Sequence, residues 1–451
     1  MIKFDGKIIV LDDDPTGIQT VNGVSVYTDW SEQSIRQGFE GKEGLFFLLT
    51  NSRAMTEAET KKTHRAIGER VAKTAKEFGI PFLLISRGDS TLRGHYPTET
   101  ETLRHAIEEN SEIRYDGEVI CPFFPQGGRF TQGNIHYVSV AGRLVPAAET
   151  EFAGDKTFGY RNSHLGKWVE EKTKGQYPWK EQCYISLETL QKKDLERIEK
   201  QLWQVHNFKK VIVNAMTYDD LEVFTEALLR VINGGKNFLF RTAASFVQVI
   251  GGIAERPLLT AKDLVEEGNK NGGLILVGSH VKKTTEQLEE LLTLDQVIAI
   301  PFASGLVGNA ERFEAEKIRV QALIEEKLSA GATVAVYTER QVLVPDSSDP
   351  EEALRLSLRI SDAVTGFVEK LKARPRFIIA KGGITSSEVG VKGLKVKRAF
   401  VAGQVLPGIP VWRTGEESKF PGLPYVIFPG NVGERDSLKQ IVSKLIKEKG
   451  E

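Results

Sequence analysis

Short apolar runs alternate with longer polar stretches of helical period along the whole chain. In the first half the runs at 8–11, 24–28, 45–49, 82–86, 119–123, 211–214 and 238–241 read as strands. In the second half those at 274–278, 297–301, 334–338, 377–380, 400–405 and 425–428 do. Helical segments lie between them, among them 57–77, opened by a capping box Thr56…Glu59, and 311–328. Strand–helix alternation of this kind predicts a parallel sheet with helices on both faces. A polar, weakly patterned stretch at 255–273 separates the two sets, and residues 134–182, rich in Gly, Thr and aromatics, read as an insertion or flap. The expected fold is α/β, with two domains, 1–256 and 257–451. Each is a mainly parallel sheet flanked by helices, with the active site in the cleft between them.

The totals narrow the classes. A chain of 451 residues exceeds the size at which one core keeps growing. Sixty basic and 61 acidic side chains leave a formal charge of −1, so no electrostatic footprint for nucleic acid or an anionic membrane is present. Cys121 and Cys183 have neither disulfide-framework nor metal-ligand spacing. The first residues lack the apolar core of a signal peptide and no run approaches membrane-spanning length, so a cytoplasmic protein is expected.

The candidate chemistry of the first half gathers at strand ends. The apolar run at 8–11 stops at Asp12, Asp13 and Asp14, followed by Pro15-Thr16-Gly17. Ligands of open α/β sheets sit at such carboxyl ends, and three adjacent acids need something cationic or proton-bearing opposite. The stretches 48–53 (LLTNSR), 86–100 (SRGDSTLRGHYPTET) and 127–137 (GGRFTQGNIHY) bring Arg53, Arg87, Asp89, Ser90, Thr91, Arg93, His95, Arg129, Asn134 and His136. Guanidinium forks suit a small carboxylate, and an aspartate can hold hydroxyls or take a proton from one. Any one of these arginines could equally neutralise the aspartates in a structural network, a reading that is weaker for the whole set. Asp12-x-Asp14-x-Thr16 also matches the nucleophile motif of haloacid-dehalogenase-type phosphatases, but Ser90, Thr91, Leu92 and Arg93 stand where that class needs a second acid.

The second half has no GxxxxGK[ST] loop. Three strands instead run through glycine into a helix, at 274–285, 377–390 (with a capping box Thr385…Glu388) and 425–438. Glycine lets backbone N–H groups approach phosphate, and a helix N-terminus adds positive partial charge. Gly408 in LPGIP is either a further wall or a plain Pro-Gly turn.

Taken in order, DDDPTG, TNSR, SRGDSTLRGH, GSHVKKT, KGGITSSE, PGIP and PGNVG resemble the four-carbon acid sugar kinase family over essentially the whole chain. The resemblance implies an N-terminal sugar-acid domain, a C-terminal ATP domain, and ATP with Mg²⁺ as cofactors. The implied reaction phosphorylates a terminal hydroxyl of threonate, erythronate or 3-oxo-tetronate. Carried over, Asp12 and Asp13 are catalytic, and Arg53, Asp89, Ser90 and Arg93 bind the sugar acid. Ser279, Gly382, Gly383, Ile384, Thr385 and Gly430 bind the nucleotide; metal ligands stay unassigned. Expected partners are the sugar acid and ATP, with no nucleic acid and no membrane; a homodimer stays open. The chain departs from the family pattern at Leu11, at Asp14-Pro15, at Ile384 and at Phe428-Pro429. A phosphatase using Asp12 and a non-catalytic sugar-acid-binding protein are the alternatives.

Overall fold

The computed structural model describes residues 2–265, 268–278, 281–340, 350–430 and 432–446, and the chain divides into two compact units, Met1–Glu255 and Arg256–Glu451. The strands of the first unit are β1 (Lys7–Asp12), β2 (Ser25–Tyr27), β3 (Leu45–Leu49), β4 (Phe82–Arg87), β5 (Gly117–Cys121), β6 (Arg129–Gln132), β7 (Ile135–Val140), β8 (Arg143–Pro146), β9 (Cys183–Ile185), β10 (Lys209–Val213) and β11 (Phe238–Thr242). Eight of them form a wholly parallel sheet in the order β2-β3-β1-β4-β11-β5-β10-β9. Its central strands are buried on both faces, which is why they read as apolar runs without alternation.

From β1 the chain crosses towards β3 and β2, whereas from β4 it crosses towards β5. The sheet's switch point therefore lies between β1 and β4, where such sheets hold ligands. The register places Asp12 directly beside Arg87 at that point. The long helix Glu57–Phe78 carries the expected capping box, with Thr56 accepting from the Glu59 N–H and Glu59 reaching back, and ends on Gly79 in the left-handed conformation. It buries Ile67, Val71 and Ala72 against Leu103 and Ile107 of the helix Thr98–Asn110.

The stretch 134–182, read as an insertion or flap, carries its own sheet and core cluster. Strands β6–β8 form an antiparallel sheet whose first hairpin turns at Gly133 and Asn134, both at positive φ. Tyr96, Val138, Tyr160, Leu165 and Trp168 form a buried cluster, with Tyr96 stacked on Trp168 at 4.5 Å. These strands and β9 were not foreseen from the pattern, and β5 ends at Cys121 rather than at Phe123.

The second unit contains β12 (Leu274–Val277), β13 (Val297–Phe302), β14 (Thr333–Thr338), β15 (Ile378–Lys381), β16 (Arg398–Leu406), β17 (Ile409–Thr414) and β18 (Pro424–Phe428). The order β13-β14-β12-β15-β18 is parallel, while β17 joins β18 and β16 joins β17 antiparallel. The antiparallel hairpin corrects the reading of the 400–405 run as one more parallel strand, and β17 was not expected. Gly408, at φ +78, makes its turn. Here the switch point falls between β12 and β15. Among the described residues no helix is long and apolar enough to cross a membrane.

Candidate functional site

The acidic triplet divides into three environments. Asp12 and Asp13 are almost wholly buried, at 1% and 3% exposure. Arg87 Nη1 lies 3.2 Å from Asp12 Oδ1 and 3.1 Å from Asp13 Oδ1. Arg53 grips Asp13 with two bonds, Nε to Oδ2 at 3.1 Å and Nη2 to Oδ1 at 2.7 Å. Asp14 closes the turn by accepting from the Thr16 N–H at 2.8 Å. Gly17 lies so close to Asp12 that a Cβ there would sit 2.1 Å from Oδ1.

These neighbours set the electrostatics. Burial pushes the Asp12 carboxyl up to about 8, against the pull of Arg87 and with the charges of Asp13 and Asp14 adding to it. For Asp13 burial acts the same way but is outweighed by Arg53 and Arg87, which hold it below the usual carboxylate range. Two adjacent aspartates thus differ in proton affinity, one a neutral acid near pH 7 and one an ion.

The DSTLRG turn lies beside them. Burial of Asp89 is outweighed by Arg53 and Arg93, which hold its carboxyl well below the usual range. Arg93 Nε donates to Asp89 at 2.7 Å, and the Thr91 hydroxyl also donates to Asp89. The outer sheet fastens the turn's backbone. His136 Nε2 donates to the Ser90 carbonyl at 2.7 Å and its Nδ1 accepts from Thr131 Oγ1, while Tyr160 donates to the Thr91 carbonyl. Burial lowers His136 to about 4, so it serves as a neutral clasp. Asn134 pairs with Asn214 and holds the hairpin.

Arg53 and Arg87 are thus engaged with internal carboxylates. Arg93, besides its bond to Asp89, lies with Arg129 against the ring of Phe152, at 5.1 and 5.5 Å, and Arg129 Nε is buried without a hydrogen-bond partner. Sequence reasoning missed Arg241, at the end of β11. Its Nη2 donates to the Arg93 carbonyl at 2.9 Å, its Nη1 is buried without a partner, and its charge acts on Asp13. A Cβ on Gly88 would fall 1.0 Å from Arg241 Nη1, so glycine there is the space the guanidinium occupies. Glu99 was also missed; one oxygen accepts from Ser52 at 2.7 Å and the other is buried without a partner. A charged residue closing an otherwise apolar strand was the available signal for Arg241.

In the second unit the three glycine turns converge at the β12/β15 switch point. A Cβ on Gly278 would lie 2.4 Å from Thr385 Oγ1. The Gly382 N–H donates to the Phe428 carbonyl at 2.9 Å. Thr284 donates to the Gly430 carbonyl, and Gln287 to the carbonyls of Val432 and Glu434. Gly382 takes a positive φ, +118°. Thr385 and Glu388 do not form a capping box, because the helix already starts at Gly383 and Thr385 lies inside its first turn. Ile384 is 70% exposed beside the turn. Ser279 lies outside the described residues. No group of three ligating His, Cys, Asp or Glu side chains occurs among the described residues.

Residues 8–250 match the family model described as a sugar-binding N-terminal domain, and residues 274–438 match that of a nucleotide-binding C-terminal domain. No curated protein gives a significant match. Among solved structures, Haemophilus influenzae protein HI1011 shares the fold at 18% identity and a TM-score of 0.65, over 97% of this chain and 100% of that one. A Salmonella typhimurium LT2 protein provisionally named a tRNA synthase does so at 16% identity and 0.68, over 96% and 98%. The chain therefore belongs to the family that joins a sugar-binding to a nucleotide-binding domain, the architecture of the four-carbon acid sugar kinases.

Proposed function

We propose that this protein is an ATP-dependent kinase acting on the terminal hydroxyl of a four-carbon sugar acid of the threonate, erythronate or 3-oxo-tetronate type. The observation that carries the reading is the pair Asp12 and Asp13, adjacent in sequence and opposite in proton affinity, at the switch point of a sugar-binding unit. Asp12, the more basic carboxyl, takes the hydroxyl proton. Asp13, fixed by Arg53 and Arg87, orients the neighbouring hydroxyls. Arg93 and Arg129, with guanidinium donors left over, take the substrate carboxylate. Backbone N–H groups around Gly382, Gly383 and Gly430 hold the phosphates, and Mg²⁺, which binds through phosphate oxygens and water, supplies charge neutralisation when bound.

Against the phosphatase alternative, the guanidinium groups of Arg87 and Arg53 stand beside Asp12 and Asp13, where a nucleophilic aspartate of that class would need a metal ion. One assay separates the readings: ADP production with a panel of four-carbon acids, with phosphate release measured in parallel. A kinase forms ADP only with an acid present. Phosphate released from phosphoesters without nucleotide means a phosphatase, and acid binding without turnover means a binding protein.

A further inference from the structure

Two lysines of the described residues are fully buried at 0% exposure, Lys210 and Lys381. Lys210 has a counter-ion, Glu118 at 2.6 Å. Lys381 has none among the described residues, and the one charge acting on it is another cation, Lys283, on the helix Lys282–Leu291. It closes β15 immediately before Gly382, and its ammonium donates across to the next strand's turn, to the carbonyls of Pro429 at 2.5 Å and Gly430 at 3.2 Å. The ammonium also lies over the Phe428 ring, with Nζ 4.0 Å from the centroid. An ammonium has three donors, and those two carbonyls take two. A buried cation without an anion is costly and is driven towards its neutral form, whereas an anion arriving beside it favours the charged form.

We infer that Lys381 is the positioning residue of the nucleotide site, fixing the Gly382–Gly383 turn against the Phe428–Gly430 turn and supplying the buried positive charge that the bound polyphosphate neutralises. The inference rests on the nucleotide-binding reading of the second unit and deepens it. Burial, with Lys283 adding, lowers the ammonium to about 7, so above that pH the free protein carries a largely neutral amine. A polyphosphate arriving beside it favours the charged form, and binding must then draw a proton from solvent.

The test is calorimetric titration of the full chain with MgADP and MgATP at pH 8, in buffers of different ionisation heat. The phosphates are already ionised at that pH, so proton exchange reports the protein. Wild type is expected to take up more than half a proton per nucleotide bound. Lys381→Met should bind at least tenfold more weakly and take up none. Lys381→Arg should recover part of the affinity yet also take up none, since guanidinium does not titrate there. In turnover, Lys381→Met should raise the KM for ATP and leave that for the acid unmoved. Proton-neutral binding by wild type, or a Lys381→Met protein that binds as tightly as wild type, would overturn the assignment of Lys381 and leave the nucleotide site standing. Absence of nucleotide binding by wild type would overturn the nucleotide reading itself. If Lys381→Met does not fold, the wild-type proton count and the arginine variant decide.

Discussion

Replacing Asp12 by Asn keeps the shape of a neutral carboxyl and removes only its ability to ionise. With a folded-state value near 8 against an ordinary 3.8, Asp12 carries its proton in the fold at neutral pH and has lost it in the unfolded chain. A group raised in this way contributes stability that is fully present below the unfolded pKa and is lost as pH rises through the folded one. At 1.36 kcal/mol per unit, the loss reaches roughly 5 kcal/mol by pH 8, of which roughly 3–4 kcal/mol falls between pH 5 and pH 8. Asp12→Asn has no such loss. Guanidinium unfolding of both proteins at pH 5, 6.5 and 8 should therefore show the variant gaining on wild type by that amount as pH rises. Under the proposed mechanism the same ionisation governs chemistry, so wild-type kcat should climb with pH towards a plateau above about 8. In Asp12→Asn the limb should vanish and kcat fall by about 10²–10⁴, the scale of a lost general base. A stability difference that stays flat from pH 5 to 8, together with a pH-independent wild-type kcat, would refute the reasoning. It would mean that Arg87 keeps Asp12 ionised like an ordinary carboxylate.

Gly17→Ala should cost about as much activity as losing Asp12, because its Cβ displaces that carboxylate; circular dichroism should show the fold retained and steady-state kinetics a drop in kcat. Arg53→Ala leaves buried Asp13 with Arg87 in contact and the more distant charge of Arg241, and should destabilise the first unit by about 3–5 kcal/mol, read from the shift in denaturant midpoint. Gly278→Ala should weaken ATP binding by intruding on Thr385 Oγ1, and the added substitution Thr385→Ala, which removes that atom, should restore much of it in calorimetry. His136, depressed to about 4, stabilises the fold fully above the ordinary histidine value of 6.5 and loses that contribution as pH falls through 4. His136→Gln should flatten this acid limb of the melting temperature.

The strand ends were legible because physics concentrates them. A run buried on both faces has no alternation, and its abrupt stop at Asp12 or Asn51 marks the sheet's carboxyl edge, where the chemistry sits. Boundaries moved by a residue or two, as at Lys209–Val213 and Phe238–Thr242. Arg241 and Lys381 escaped notice for one shared reason. Each lies at the end of an apolar strand, where periodicity marks the strand but says nothing of a terminal charge that is buried and bonded across to a neighbouring turn. The outer sheet was missed although Gly133-Asn134 is a hairpin signal, because its strands are short and carry polar side chains on both faces. The Thr385 cap failed because Gly382, free to adopt φ +118, lets the helix begin early.

The β7–β8 hairpin reaches from the buried grip of His136 on Ser90 to an open tip at Ala141 and Gly142, where Val140 and Leu144 are exposed. The chain's own thiols are poorly reactive, since burial raises Cys121 to about 12 and Cys183 to about 11. A cysteine introduced at Ala141 would therefore take a maleimide dye selectively. Placed at the far end of a ribbon clamped to the DSTLRG turn, the dye would report any displacement of that turn, making the outer sheet a handle for an optical sensor of ligand binding.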